Sequence, residues 1–169
     1  MNSMKIGILS DTHGNIPATA NAARIFATAG VGAVLHCGDI GDADVLTELA
    51  GMLHPSEVPV YAVLGNVDLY SADWKFFPTH VGVHILGRFG EVELAGRKIA
   101  LLHSDDRACF RKTIDAGDYD FVFSGHSHEV HDHIVGTTRC INPGTAGRGS
   151  PNTCAILDLS SGELAVEAC

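Results

Sequence analysis

Residues 5–39 read KIGILSDTHGNIPATANAARIFATAGVGAVLHCGD, and their alternation decides the fold. Lys5–Leu9 is a short apolar run suited to a buried strand. Pro17–Ala29 carries helical spacing, with Asn15 placed to cap it and Pro17 in the first turn, where a missing N–H costs little. Ala33–Leu35 is again strand-like. A helix over Ala43–Leu53 and a strand over Val60–Leu64 repeat the pattern, so the first half reads βαβαβ, with parallel strands and right-handed crossovers.

Beyond Tyr70 the pattern changes to pairs. Glu91–Leu94 turns through Ala95-Gly96 into Lys98–Leu102. His131–Val135 turns at Gly136-Thr137 into Thr138–Ile141, and Thr153–Leu157 turns at Ser161-Gly162 into Leu164–Glu167. Between the pairs, Ala108–Ala116 reads as a helix and Phe121–Ser124 as a short buried strand. With no internal repeat and no linker, the 169 residues form a single α/β domain (α+β mixed) over 1–169, in which two packed sheets carry helices on their outer faces.

Composition narrows the function. Twenty carboxylates against 11 Lys and Arg leave a formal charge of −9, which repels a polyanion, so duplex nucleic acid is not an expected partner. No apolar run suits a membrane span and no basic leader precedes the first strand, so a cytoplasmic protein without a membrane partner is expected. The five cysteines, at 37, 109, 140, 154 and 169, include no Cys-x-x-Cys pair and read as buried thiols. Cys37 reads as packing beneath the site. The ten histidines are more telling, because histidine is both a common metal ligand and the usual general acid or base.

Candidate ligands close five of the strand-like runs: Asp11 and His13 after KIGILS, Asp39 after AVLHCG, Asn66 after VYAVLG, His103 after KIALL, and His126 and His128 after FVFSG. The carboxyl ends of strands in an open α/β sheet meet at one crevice, which brings these residues together. In Asp11-Thr-His13 and His126-Ser-His128, two ligands can face one site while the small residue between them turns away. Glycine precedes Asp39, Asn66 and His126, and is read as the residue that lets the backbone turn sharply there. Carboxylate, amide oxygen and imidazole without thiolate suit Mn, Fe, Co, Ni or Zn. An Asp-x-His or Gly-Asp alone is an ordinary turn; the ordered set is not.

In this order the motifs resemble the calcineurin-like metallophosphoesterase superfamily, whose pattern is Asp-x-His, Gly-Asp, Gly-Asn, His and Gly-His-x-His. The small single-domain bacterial and archaeal phosphodiesterases are the most similar subgroup. Ile141-Asn142-Pro143-Gly144-Thr145 is similar to the family's Asn-Pro-Gly-Ser segment. The resemblance implies a four-layer αββα sandwich of two mixed sheets. It also implies two divalent ions, with Mn the first choice: one held by Asp11, His13, Asp39 and His128, the other by Asp39, Asn66, His103 and His126, with Asp39 shared. The implied reaction is hydrolysis of a small phosphate ester, most of all a diester, by a hydroxide between the ions, with Asp39, Asn66 and His103 at its centre.

Two positions depart from the wider pattern. Many relatives have His after Gly-Asn, where this chain has Val67, and His-Gly-His where this chain reads His103-Ser104-Asp105. Valine has no proton to give a leaving group. Asp68 is then read chiefly as a partner orienting a ligand and Asp105, with Asp106, as a helix cap; either Asp68 or Asp105 is also a candidate acid. Arg107 and Arg148 are candidate substrate clamps. His131 and His133 share one strand face outside the family pattern. The same fold serves as an interaction scaffold in the retromer complex and as nucleases, so a scaffold without activity and a nuclease for short nucleotide diesters are the competing readings. A homo-oligomer is compatible with all of them.

Overall fold

Asn15 accepts a hydrogen bond from the Ala18 N–H, which starts helix α1 (Ile16–Ala29), and Gly30, at φ 67°, ends it. The helix connects strand β1 (Lys5–Leu9) to β2 (Ala33–His36), and α2 (Ala43–Leu53), capped by Asp42, connects β2 to β3 (Val60–Ala62). β1, β2 and β3 pair in parallel, as the βαβαβ reading requires. This computed structural model describes residues 3–71, 74, 77 and 82–169.

The remaining described strands are β4 (Val83–Ile85), β5 (Phe89–Leu94), β6 (Arg97–Leu102), β7 (Phe121–Phe123), β8 (Val130–Val135), β9 (Thr138–Pro143), β10 (Thr153–Asp158) and β11 (Leu164–Ala168), with α3 (Arg107–Ala116) between β6 and β7. They form a six-stranded sheet in the order β11-β10-β1-β2-β3-β4 and a five-stranded sheet in the order β5-β6-β7-β9-β8. Both sheets mix parallel and antiparallel pairs, and all three hairpins read from the sequence are present. β4 was not anticipated. It has only three residues, His84 interrupts its apolar pattern, and its pairing with β3 comes from far along the chain.

Burial is layered accordingly. Ile6, Ile8, Leu35 and Val63 of the first sheet meet Ile99, Leu101, Phe123 and Ile141 of the second. The opposite face of the first sheet packs on Phe26, Leu46 and Leu49 of α1 and α2, and the opposite face of the second packs on Ile114 of α3. The result is the four-layer αββα sandwich. β1, β2 and β3 in one sheet, and β6 and β7 in the other, all deliver their carboxyl ends to the same edge. No described helix is long and apolar enough to cross a membrane.

Candidate metal centre

The residues that follow those five strands meet at that edge. His128 Nε2 lies 3.1 Å from Asp11 Oδ1 and 3.4 Å from His13 Nε2. His103 Nε2 lies 3.2 Å from Asp39 Oδ1 and 3.8 Å from Asp11 Oδ1, while Asp39 Oδ2 is 3.8 Å from His13 Nε2. Two ligand clusters result, Asp11–His13–His128 and Asp11–Asp39–His103, with one Asp39 oxygen turned toward each. The His126 ring stands edge-on to that of His103, with centroids 5.2 Å apart.

Among the described residues, three buried side-chain atoms have no hydrogen-bond partner, and all belong to this set: Asp11 Oδ1, Asn66 Oδ1 and His103 Nε2. An unpaired buried polar atom is costly; Asp11 Oδ1 and His103 Nε2 lie 3.8 Å apart, the Val67 N–H holds the loop of Asn66 against Asp39, and acceptors with no donor among them fit a cation. Neighbouring groups aim each one. Asp11 Oδ2 accepts from Ser10 Oγ at 2.6 Å and from the His126 N–H at 3.1 Å, which leaves Oδ1 free. The Cys37 carbonyl takes the Nδ1–H of His103 at 2.9 Å, so the Nε2 lone pair faces the crevice. Burial opposes charge on His103, but the Asp39 and Asp11 carboxylates outweigh it and hold its pKa above the ordinary value. Burial likewise works to raise Asp39, and the neighbouring His103 ring and the hydrogen bond from the Val67 N–H bring it below the usual carboxylate range. His13 is lowered, by burial first and then by the Arg148 guanidinium.

Backbone strain is concentrated here. Eight described non-glycine residues have positive φ, and Asp11, His13, Asp39, His126 and His128 are five of them. Such conformations cost of order 1–3 kcal/mol each and persist where surrounding structure imposes them. This corrects the expectation about glycine at two positions. Gly65 and Gly125 are absent from the positive-φ glycines; they are needed for close approach instead. A Cβ on Gly65 would lie 2.1 Å from Asp39 Oδ1, and one on Gly125 would lie 2.0 Å from Ser10 Oγ. The sharp turning falls largely on the ligands themselves.

Thr12 and Ser127, the residues between paired ligands, do turn away. Thr12 Oγ1 donates to the Ile40 carbonyl and Ser127 Oγ accepts from Asn142 Nδ2. Asp68 is buried, and its carboxylate accepts the N–H groups of Ile40, Gly41 and Gly65 at 2.8–3.1 Å, tying the loop of Asp39 to the loop of Asn66. Asp105 does not cap α3; Asp106 does, through the N–H groups of Ala108 and Cys109. Asp105 instead pairs with Arg88 at 2.6 Å, and Arg88 also donates to the Leu64 carbonyl, clasping the two sheets behind the site. Arg107 opens α3 and lines a hollow with His126, whereas Arg148 reaches the His13 side. Cys37 is buried beneath the centre, and burial pushes its thiol pKa up.

Sequence reasoning missed Arg88 and His36. His36 is fully buried between the ligand loops, where its Nδ1 accepts from the Gly38 N–H and its Nε2–H therefore donates to Thr12 Oγ1. Burial, with the nearby His103, takes its pKa from 6.5 to about 3. Between those values the unfolded chain binds a proton that the folded chain refuses. His36 therefore makes stability fall as pH drops from about 6.5 toward 3, by up to about 1.4 kcal/mol per pH unit. Urea midpoints of metal-free protein should decrease from pH 7 to pH 5, and His36→Gln should flatten that dependence. An equally steep decrease in the variant would refute this source.

Residues 4–162 match the model of the calcineurin-like phosphoesterase superfamily domain. The chain belongs to the calcineurin-like phosphoesterase superfamily. Within it, the chain is 32% identical over 142 residues to a phosphodiesterase of Methanocaldococcus jannaschii, covering 83% of each protein. A solved structure described as a novel archaeal phosphodiesterase superposes with a TM-score of 0.87 at 30% identity, over 98% of this chain and 100% of its own. Vacuolar protein sorting 29 of Cryptosporidium parvum shares the fold at TM-score 0.66 and 20% identity, over 99% of this chain and 97% of its own. The fold is thus shared by a phosphodiesterase and a sorting protein, and the residues at the edge bear on which reading applies here.

Proposed function

We propose that the protein is a metal-dependent phosphodiesterase acting on a small phosphate ester, with two divalent ions, Mn first among Mn, Fe, Co, Ni and Zn. The observation that carries this reading is that the unpartnered buried atoms, Asp11 Oδ1, Asn66 Oδ1 and His103 Nε2, all belong to residues at the strand ends, where Asp39 faces both ligand clusters. His13 and His128 complete one set and His126 stands beside the other. Bound ions would supply a water of lowered pKa and positive charge at the ester's non-bridging oxygens. Asp39 orients both sets, His103 presents its Nε2 lone pair, and Arg148 and Arg107 flank opposite sides of the crevice as phosphate clamps.

No side chain is assigned to protonate the leaving group. Val67 has no proton to give, Asp68 is engaged by three backbone N–H groups, and Asp105 is engaged by Arg88. The test is hydrolysis of aryl and alkyl phosphodiesters by demetallated protein, with and without each ion added back. Activity should require the ion, and its rate should fall steeply as leaving-group pKa rises. Hydrolysis unaffected by demetallation would sink the proposal, and a flat leaving-group dependence with chemistry rate-limiting would reveal an acid. The scaffold reading predicts a damaged ligand set; all seven ligand types are present.

A further inference from the structure

A trough runs away from the metal centre along the outer face of the second sheet, between α3 and the β8–β9 hairpin. Its upper part, about 430 Å³, begins at His126 and is walled by Arg107, Phe110 and Arg111 of α3. A second hollow of about 240 Å³ shares Ser104, Phe110 and Ser127 with the first and is edged by the exposed His131 and His133. The two hollows adjoin at these three residues, and the upper one alone has the size of an ordinary small-molecule site. Both shared serines adjoin candidate ligands: Ser104 follows His103, and Ser127 lies between His126 and His128. An ester held at the centre has this trough as a seat for one of its arms.

The lining selects the kind of arm. Phe110 is half-buried and borders both parts, offering an aromatic surface midway along the trough. His131 and His133, paired across from Asn142 and Cys140, give the rim of the second hollow hydrogen-bonding groups. Arg107 and Arg111 put two cations against one carboxylate, Asp115, on the α3 wall of a chain whose net charge is −9, so an anion is attracted locally and not by the molecule as a whole. A flat, polar-edged ring joined to a further phosphate meets all three features.

We propose that the trough binds the nucleoside arm of a phosphodiester, with the base against Phe110 and a second phosphate of that arm at Arg111. This rests on the diesterase reading above. The reaction is unchanged: water adds across one P–O ester bond to give a phosphomonoester and an alcohol.

The test compares three substrates of the Mn-loaded protein: methyl p-nitrophenyl phosphate, the p-nitrophenyl ester of thymidine 5′-phosphate, and the same ester carrying a 3′-phosphate. kcat/KM should rise along this series. Phe110→Leu keeps apolar bulk in the helix but removes the ring, and should lower kcat/KM for both thymidine esters about tenfold more than for the methyl ester. Arg111→Gln, at an exposed helix position, should lower only the value for the 3′-phosphorylated ester relative to the other two, by about fivefold. Equal kcat/KM for all three substrates, or variants that lower all three in proportion, would overturn the trough assignment and leave the diesterase reading standing. Failure to cleave any of the three would overturn the diesterase reading and the trough with it.

Discussion

Asp39→Ala is expected to abolish phosphodiester hydrolysis and to strip the protein of bound metal. Both oxygens of this carboxylate are in use: Oδ1 accepts from the Val67 N–H and faces His103, while Oδ2 faces His13. Removing it takes from both ligand clusters the carboxylate that faces them, leaving Asp11 as the one carboxylate they share, and removes one of the tethers on the loop of Asn66. The rate loss should exceed the roughly 10²–10³-fold that follows removal of a single charge-stabilising donor, because binding and chemistry fail together. Asp39→Asn keeps the shape and one acceptor but lacks the charge, so it should retain part of the metal and little of the rate. Elemental analysis and kcat on the same preparations check this. Near-normal metal content in Asp39→Ala would refute the shared role.

Asp68→Ala should have the largest effect on stability among substitutions outside the ligand set. It leaves the Ile40, Gly41 and Gly65 N–H groups without their acceptor, and a buried unsatisfied donor costs about 1–3 kcal/mol. Gly41 can recover a water, so a loss of about 3 kcal/mol or more is expected, and a melting temperature lower by about 6–12 °C. Metal affinity should fall as well, by about 10–100-fold, since the braced loops carry Asp39 and Asn66. Asp68→Asn should recover part of the stability through its remaining carbonyl. Thermal unfolding of metal-free protein separates the stability effect from the affinity effect; an unchanged melting temperature in Asp68→Ala would mean that the three N–H groups find other partners.

The gathering of the candidate ligands was legible in sequence because each is local to the end of an apolar run, and strand direction alone carries them to one edge. The helices were legible for similar reasons: Asn15, Pro17 and Gly30 mark the ends of α1 within a few residues of chain. What escaped was non-local. The Arg88–Asp105 clasp joins residues 17 apart on different loops, so adjacency to Arg107 made Asp105 look like a helix cap beside Asp106. His36 sits inside an apolar strand as the sequence shows, but its bond to Thr12, 24 residues earlier, exists only after β1 and β2 pair. The role of Gly65 and Gly125 was misread because a close approach depends on what lies opposite, and nothing near them in the chain names Asp39 or Ser10. β4 was lost because three residues are too few to show a period.

The pairing of His13 with His128, 115 residues apart, also sets when the centre can exist. The Asp11 carbonyl is held by Thr145 Oγ1, 134 residues further on. The candidate ligands of one cluster are therefore made more than a hundred residues apart, and a nascent chain ending before residue 128 has no means of closing it. Until then Asp11 and His13 are two groups on a loop that the backbone would rather straighten. The centre thus waits on contacts distant in the chain, and ion capture there would report a chain folded at least as far as Thr145.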